Sequence, residues 1–204
     1  MSRYTGPTTR LSRKLGVMLF TNSESKIKAY NKKKYKPGMH GQKRFSQLSE
    51  YGKHLQEKQK VKVLFGITEK QCRKYYEMAN KSSEITGEKL MKILEQRLDN
   101  TIFRSGIGAT RPQARQIVGH GLIKLNGKKV TIPSIIVEKG DIFEVLDKKK
   151  SSKLFEALEK RKIKAPKWLK VDLKSLKGEV VTLPDKDDIE NVIDSQLITE
   201  FYSK

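Results

Sequence analysis

Apolar positions follow a helical period through the middle of the chain and give way to alternation after residue 122, which predicts helices followed by strands. Ser49 to Phe65 is rich in helix formers. Thr68 with Gln71 has the form of a capping box, in which each side chain satisfies a backbone group left open at a helix start. Cys72, Tyr75, Tyr76 and Ala79 then fall at i, i+3, i+4 and i+7, so Cys72 lies on a core face. Thr86-Gly87 opens a third helix carrying Leu90, Ile93, Leu94 and Leu98, and Arg97, Asn100 and Arg104 share its polar, cationic face opposite Leu94, Leu98 and Ile102.

The next stretch changes period twice within a few residues. Thr110 and Gln113 repeat the capping pattern, with Pro112 tolerated in a first turn that has no internal partner for its missing donor. Ala114, Ile117 and Val118 form the buried stripe, leaving Arg111, Arg115 and Gln116 turned away from it. Gly119 and Gly121 end this helix around His120, for which contact with RNA and stabilisation of the last helical carbonyls are both open. Ile123 and Leu125 alternate with polar residues up to Asn126-Gly127, a strong hairpin signal, and Val130 and Ile132 resume the alternation on the return. Lys124, Lys128 and Lys129 cluster at that turn. Further on, Ile142 to Leu146 predicts a strand, Lys148 to Lys153 a hydrophilic connector, and Ser151 to about Arg161 a short helix. A strand at Val180 to Leu183 and an acidic helix start at Asp185 to Glu190 complete the pattern.

Charge turns this pattern into a functional reading. The chain has 204 residues, 44 Lys+Arg and 23 Asp+Glu, for a formal net charge of +21. Solubility needs a magnitude of only about 2 to 8. Such an excess is self-repulsive in a compact state, so it points to a polyanionic partner that neutralises it. Residues 1 to 44 concentrate the excess, with twelve Lys+Arg against Glu24 alone and little periodicity. They read as an extended basic arm, the alternative being a solubilising tail. Pro37-Gly38-Met39-His40-Gly41 is a turn within it whose glycines let the backbone approach a neighbouring group, a phosphate among the candidates.

Candidate chemistry narrows the class. His40, His54 and His120 are widely separated, and the single cysteine sits on an apolar face without an adjacent base, so no nucleophilic constellation is expected. Asp185, Asp187 and Asp188 have the form of Mg2+ ligands, but acids at a helix start also complement its dipole. There is no phosphate loop, no apolar run near 18 residues and no signal-peptide core, so a cytoplasmic protein without membrane partner or cofactor is expected. An RNA-modifying enzyme using the same platform is the rival, but the roughly fifty residues after the platform lack convergent acids or nucleophiles.

Several ordered motifs carry a family resemblance. Arg3-Tyr4-x-Gly6-Pro7, Pro37-Gly38-x-His40-Gly41, Glu57-Lys58-Gln59-Lys60, Leu94-Glu95-x-Arg97-Leu98-Asp99-Asn100, Ala114-Arg115-Gln116 and the terminal Glu200-Phe201-Tyr202-Ser203-Lys204 span essentially the whole chain. It resembles the bacterial-type small-subunit ribosomal protein S-four family. The resemblance implies an α+β fold: a helical domain over 44–91 with 190–204, a mainly antiparallel β-sheet domain over 92–189 holding the S-four module at about 97–147, and a basic extension over 1–43. It implies a non-enzymatic binder of small-subunit ribosomal RNA in the 5′ domain, nucleating assembly. It also implies a place at the messenger RNA entry channel beside ribosomal proteins S-three and S-five, with an effect on decoding accuracy.

RNA contacts are then expected from Arg3, Arg10, Arg13, Lys14 and His40 in the arm, and from Lys43 and Arg44 toward messenger RNA. Gln47 is less basic than the residue of many relatives. Lys58, Lys60 and Arg73 are expected in the helical domain. Arg97, Asn100, Arg104, Arg111, Arg115, Gln116, His120, Lys124 and Lys128 are expected on the platform. Many relatives hold Zn2+ through four cysteines whose places here read Thr9, Ser12, Lys26 and Asn31, a set unable to supply a thiolate, so a zinc-free form is expected.

Overall fold

The computed structural model describes residues 4, 6–20, 24–42, 48–156, 165–185, 188 and 192–203. Helices α1 (Thr8–Leu15), α2 (Glu24–Lys32), α3 (Glu50–Phe65), α4 (Glu69–Asn80), α5 (Thr86–Glu95), α6 (Leu98–Arg104) and α7 (Arg111–Gly119) come first. Strands β1 (Ile123–Leu125), β2 (Lys128–Val130) and β3 (Ile142–Val145), short helices α8 (Asp147–Lys150) and α9 (Lys153–Glu156), strands β4 (Leu169–Asp172) and β5 (Lys177–Val180), and helix α10 (Ser195–Ser203) follow. The fold is α+β, and the chain divides into two compact units, residues 1–90 with 190–204 and residues 91–189.

The first unit is helical. Both halves of the capping box form at Thr68 and Gln71, and Cys72, Tyr75 and Ala79 are buried along α4. Ser49 caps α3, accepting from the Gly52 amide, and left-handed Gly66 ends it. Helix α10 packs on α3 and α4. There Tyr202 stacks on Tyr76 at 4.9 Å between centroids and donates to Glu69 at 2.9 Å, while Glu200 meets His54 at 3.0 Å. The basic arm is not extended where it is described. It carries α1 and α2, buries Leu15 and Leu19, and receives a hydrogen bond from Gln56 Nε2 to the Leu15 carbonyl at 2.6 Å. Two leucines and a side-chain tether substitute for the apolar periodicity that the arm lacks.

The second unit is a five-stranded antiparallel sheet in the order β2-β1-β3-β5-β4. Ile123, Phe143, Val145, Leu169 and Val180 form its core side and pack with Leu98, Ile102, Ile117, Val118, Phe155 and Trp168. The hairpin forms as its sequence predicts, with Asn126 and Gly127 both at positive φ.

Several boundaries differ from the sequence pattern. Helix α5 stops at Glu95, and Arg97 is extended, bridging to Ile136. Carbonyls of Ile135 and Pro133 accept from the Leu98 and Asp99 amides, so tertiary hydrogen bonds replace a side-chain cap and break the expected continuous helix. Strand β5 ends at Val180, with Val181 and Leu183 exposed beyond it, and β4 comes from residues without alternation strong enough to read. The Lys148–Lys153 connector is helical up to Lys150, and Ile132 is exposed after β2 has ended. Residues 157–164, which include the end of the expected short helix, and most of the acidic start at 185–190 lie outside the described residues.

Candidate nucleic-acid interface

The cationic centre of the second unit is built on two buried carboxylates. Glu95 is 0% exposed and accepts from Arg104 through Nε at 2.9 Å and Nη2 at 2.7 Å. Its Oε2 also accepts from Asn100 Nδ2 at 2.6 Å, and the Asn100 Oδ1 accepts from Arg111 Nε at 2.9 Å. The Arg111 guanidinium lies 4.5 Å from the centre of the Phe103 ring, fixing it from a second side. Asp99 is gripped by Arg97 through Nε at 3.0 Å and Nη2 at 2.6 Å, and Arg115 Nη1 stands 3.6 Å from its Oδ2. Each carboxylate thus orders more than one cation in a charge-assisted, partly desolvated network.

Helix α7 presents Arg111 and Arg115 because Ala114, Ile117 and Val118 fix its rotation against the core. Thr110 accepts from the Gln113 amide at 3.3 Å, but Gln113 Oε1 turns to the Ala109 amide at 2.8 Å. Only half of the expected capping box forms here, since Ala109 offers the better-placed donor. Gly121 takes φ +65°, and a Cβ there would stand 2.5 Å from Lys129 Cε, so the lysine stem passes over this glycine. Gln116, His120 and Lys128 are exposed, and Lys124 is held by Asp147 at 2.9 Å and Glu144 at 3.6 Å. Lys150 and Lys124 hold the Asp147 carboxyl down at about 2.

The expected contact residues divide by burial. Arg97 at 0% and Asn100 at 3% exposure are interior, so they do not line a solvent face with Arg104 as the helical spacing predicts. The break at Gln96 and Arg97 turns Arg97 inward, and Asn100 becomes a connector. Arg104 and Arg115 keep side-chain exposures of 20% and 17%, and Arg104 Nη2 also donates to the Asp188 carbonyl at 3.5 Å.

In the helical unit Lys58 is buried, paired with Glu69 at 3.1 Å and 4.1 Å from the Phe201 ring centre, and Lys60 is buried against Glu57. Both are occupied in packing α3. Arg73 is exposed, with Glu77 3.2 Å away. In the arm Arg10, Lys14 and His40 are exposed, whereas Arg13 donates to the Tyr35 carbonyl at 2.9 Å and lies over the Tyr35 ring. Arg3, Lys43, Arg44 and Gln47 lie outside the described residues. The Gly41 close approach is internal: a Cβ there would collide with the Lys36 carbonyl oxygen, so the turn closes on its own chain.

Sequence reasoning missed Glu95, Asp99 and Phe103 as parts of the site. Acids four residues apart inside a basic stretch were the available signal. Of Thr9, Ser12, Lys26 and Asn31, which the family resemblance sets in the places of cysteines, Ser12 is buried and accepts from the Leu19 amide at 3.4 Å, and Lys26 lies over the Phe20 ring. This set does not fit a tetrahedral Zn2+, because hydroxyl, ammonium and amide groups supply no thiolate. Among the described residues no group of three or more His, Cys, Asp or Glu could hold a metal ion, and no helix is long and apolar enough to cross a membrane.

Comparison with known proteins assigns this architecture. Residues 3–95 match the ribosomal protein S4/S9 N-terminal domain, and residues 96–143 match the S4 domain. A small ribosomal subunit protein uS4 of Caldicellulosiruptor saccharolyticus is 46% identical over 209 aligned residues covering 100% of both chains. The chain belongs to the small ribosomal subunit protein uS4 family. A uS4A of Alkaliphilus oremlandii is 48% identical and a uS4 of Desulfitobacterium hafniense 43%, each over 100% of both chains. The family is one of structural, non-enzymatic ribosomal proteins, and its S4 domain covers all of the arginine network from Arg97 to Arg115 together with the hairpin.

Proposed function

We propose that this chain is a structural constituent of the small ribosomal subunit in the cytoplasm, where it binds ribosomal RNA in the 5′ domain and nucleates assembly. The observation that carries this reading is the set of Arg104, Arg111 and Arg115, ordered around two buried carboxylates, with Arg104 and Arg115 still 20% and 17% exposed. Fixed guanidinium groups suit phosphate oxygens, which they meet in paired donor geometry. Contacts of this kind set the position of a protein on folded RNA, with phosphate contacts outnumbering base contacts.

The arm extends the same chemistry. Arg10 and Lys14 on α1 face solvent and would meet backbone phosphates from a separate element. With this distribution of cations, the protein folds and holds RNA; messenger RNA at the entry channel and ribosomal proteins S-three and S-five are its further neighbours, through which it affects decoding accuracy. Binding of the full chain to a transcript of the 5′ domain, compared with an unrelated structured RNA of equal length, tests the reading. Tighter binding to the 5′-domain transcript at physiological salt is expected, and equal binding would contradict it.

A further inference from the structure

We propose that Glu95 is a positioning residue for RNA binding: a buried negative charge that strengthens attachment to a polyanion by holding Arg104 directly and Arg111 through Asn100. Glu95 is sealed from solvent and has both oxygens occupied, Oε1 by Arg104 and Oε2 by Arg104 and Asn100. Asn100 has one possible orientation between these neighbours. Its amide nitrogen faces the Glu95 carboxylate and the Glu95 carbonyl, at 2.6 and 3.2 Å, so its oxygen faces the donating Arg111. One carboxylate therefore fixes two guanidinium groups that reach the surface from different helices, α6 and α7.

Simple charge counting gives the opposite sign. Neutralising Glu95 takes a negative charge from the protein, which favours a polyanion through the summed field. Against this stands the entropy of two long side chains that must be ordered on binding, a cost already met in the free protein while Glu95 holds them. At this buried position the ordering effect is the larger, because Arg104 loses its charge-assisted partner, and the Asn100 amide that orders Arg111 exchanges a carboxylate for a neutral amide and keeps only the Glu95 carbonyl as before.

The inference rests on the RNA-binding reading above, and the parent protein separates the two: failure of the parent to bind the 5′-domain transcript overturns both, whereas binding by the parent leaves the variants to judge Glu95. Glu95→Gln is expected to bind this transcript about threefold to tenfold more weakly than the parent. In an Arg104→Gln, Arg111→Gln background the same change is expected to alter binding by less than about twofold, since the groups it orders are gone. Equal or tighter binding by Glu95→Gln, or an undiminished loss in that background, would overturn the proposal. Asn100→Ala leaves the charge unchanged and carries the test if Glu95→Gln does not fold. It is expected to weaken binding in the parent but not in Arg111→Gln, and an equal loss in both would overturn the proposal.

Discussion

Arg97 and Arg115 share Asp99 but differ in their access to solvent, and substitution separates their roles. Arg115→Ala is expected to weaken RNA binding and to make its salt dependence shallower by about 0.7 to 0.9 for each phosphate left unneutralised, read from affinities over a salt series. An unchanged slope would remove Arg115 from the phosphate-binding set. Arg97→Ala leaves the Asp99 carboxylate buried beside Arg115 alone and is expected to destabilise the second unit by about 3 to 5 kcal/mol, measured by denaturant unfolding. Its buried guanidinium could not be read from spacing, because an arginine three residues before Asn100 looks identical whether the helix continues or breaks. Cys72, in contrast, was legible: its place in the i, i+3, i+4 stripe predicted burial, and burial pushes its thiol up. Thiol reagents are expected to modify it only when the chain unfolds.

Among the elements, α10 shows how a short C-terminal helix is attached through a polar contact. Burial alone would raise the Glu69 carboxyl, but hydrogen bonds from Lys62, Tyr202 and Lys58 outweigh it and bring it to about 2 from an ordinary 4.5. A carboxyl depressed in the folded state contributes its stability above the unfolded value and loses it as pH falls. Thermal stability is therefore expected to drop between pH 4.5 and 2, and Glu69→Gln to drop less over that window. Glu69 is half exposed, so its share is modest.

Helices α3 and α4, the start of α5 and the β1–β2 hairpin were visible in the sequence because local signals and tertiary packing agree there, whereas α1 and α2 were not, because the basic arm lacks the apolar periodicity that marks a helix. The capping box at Thr68 forms in full, and Asn126-Gly127 turns the chain. The break before α6 and strand β4 were not visible, because they depend on partners about 35 residues away or on a neighbouring strand: Ile135 and Pro133 in one case and β5 in the other. The packing of α10 on α3 came from family resemblance, since its contacts join residues such as Asp194 and Glu57 across 137 positions of chain.

Across the whole molecule, the +21 charge coexists with pairing of selected arginines to buried acids. Composition pointed to the polyanionic partner, but could not distinguish cations that face it from cations such as Lys58 and Arg97 that hold the fold. Thr9, Ser12, Lys26 and Asn31, where the family resemblance leads to the expectation of zinc-binding cysteines, supply no thiolate, and the described part of the arm is secured by Leu15, Leu19, Ser12 and Gln56. Purified protein is expected to contain far less than one zinc per chain by elemental analysis; a ratio near one would show that other groups hold the metal. This chain is expected to work as part of the small ribosomal subunit. Sedimentation of cell extract through a sucrose gradient, with quantitative detection of the chain in each fraction, addresses it most directly. Recovery in the small-subunit peak at about one copy per subunit is expected, whereas absence from that peak, with the chain remaining at the top of the gradient, would show that it does not work there.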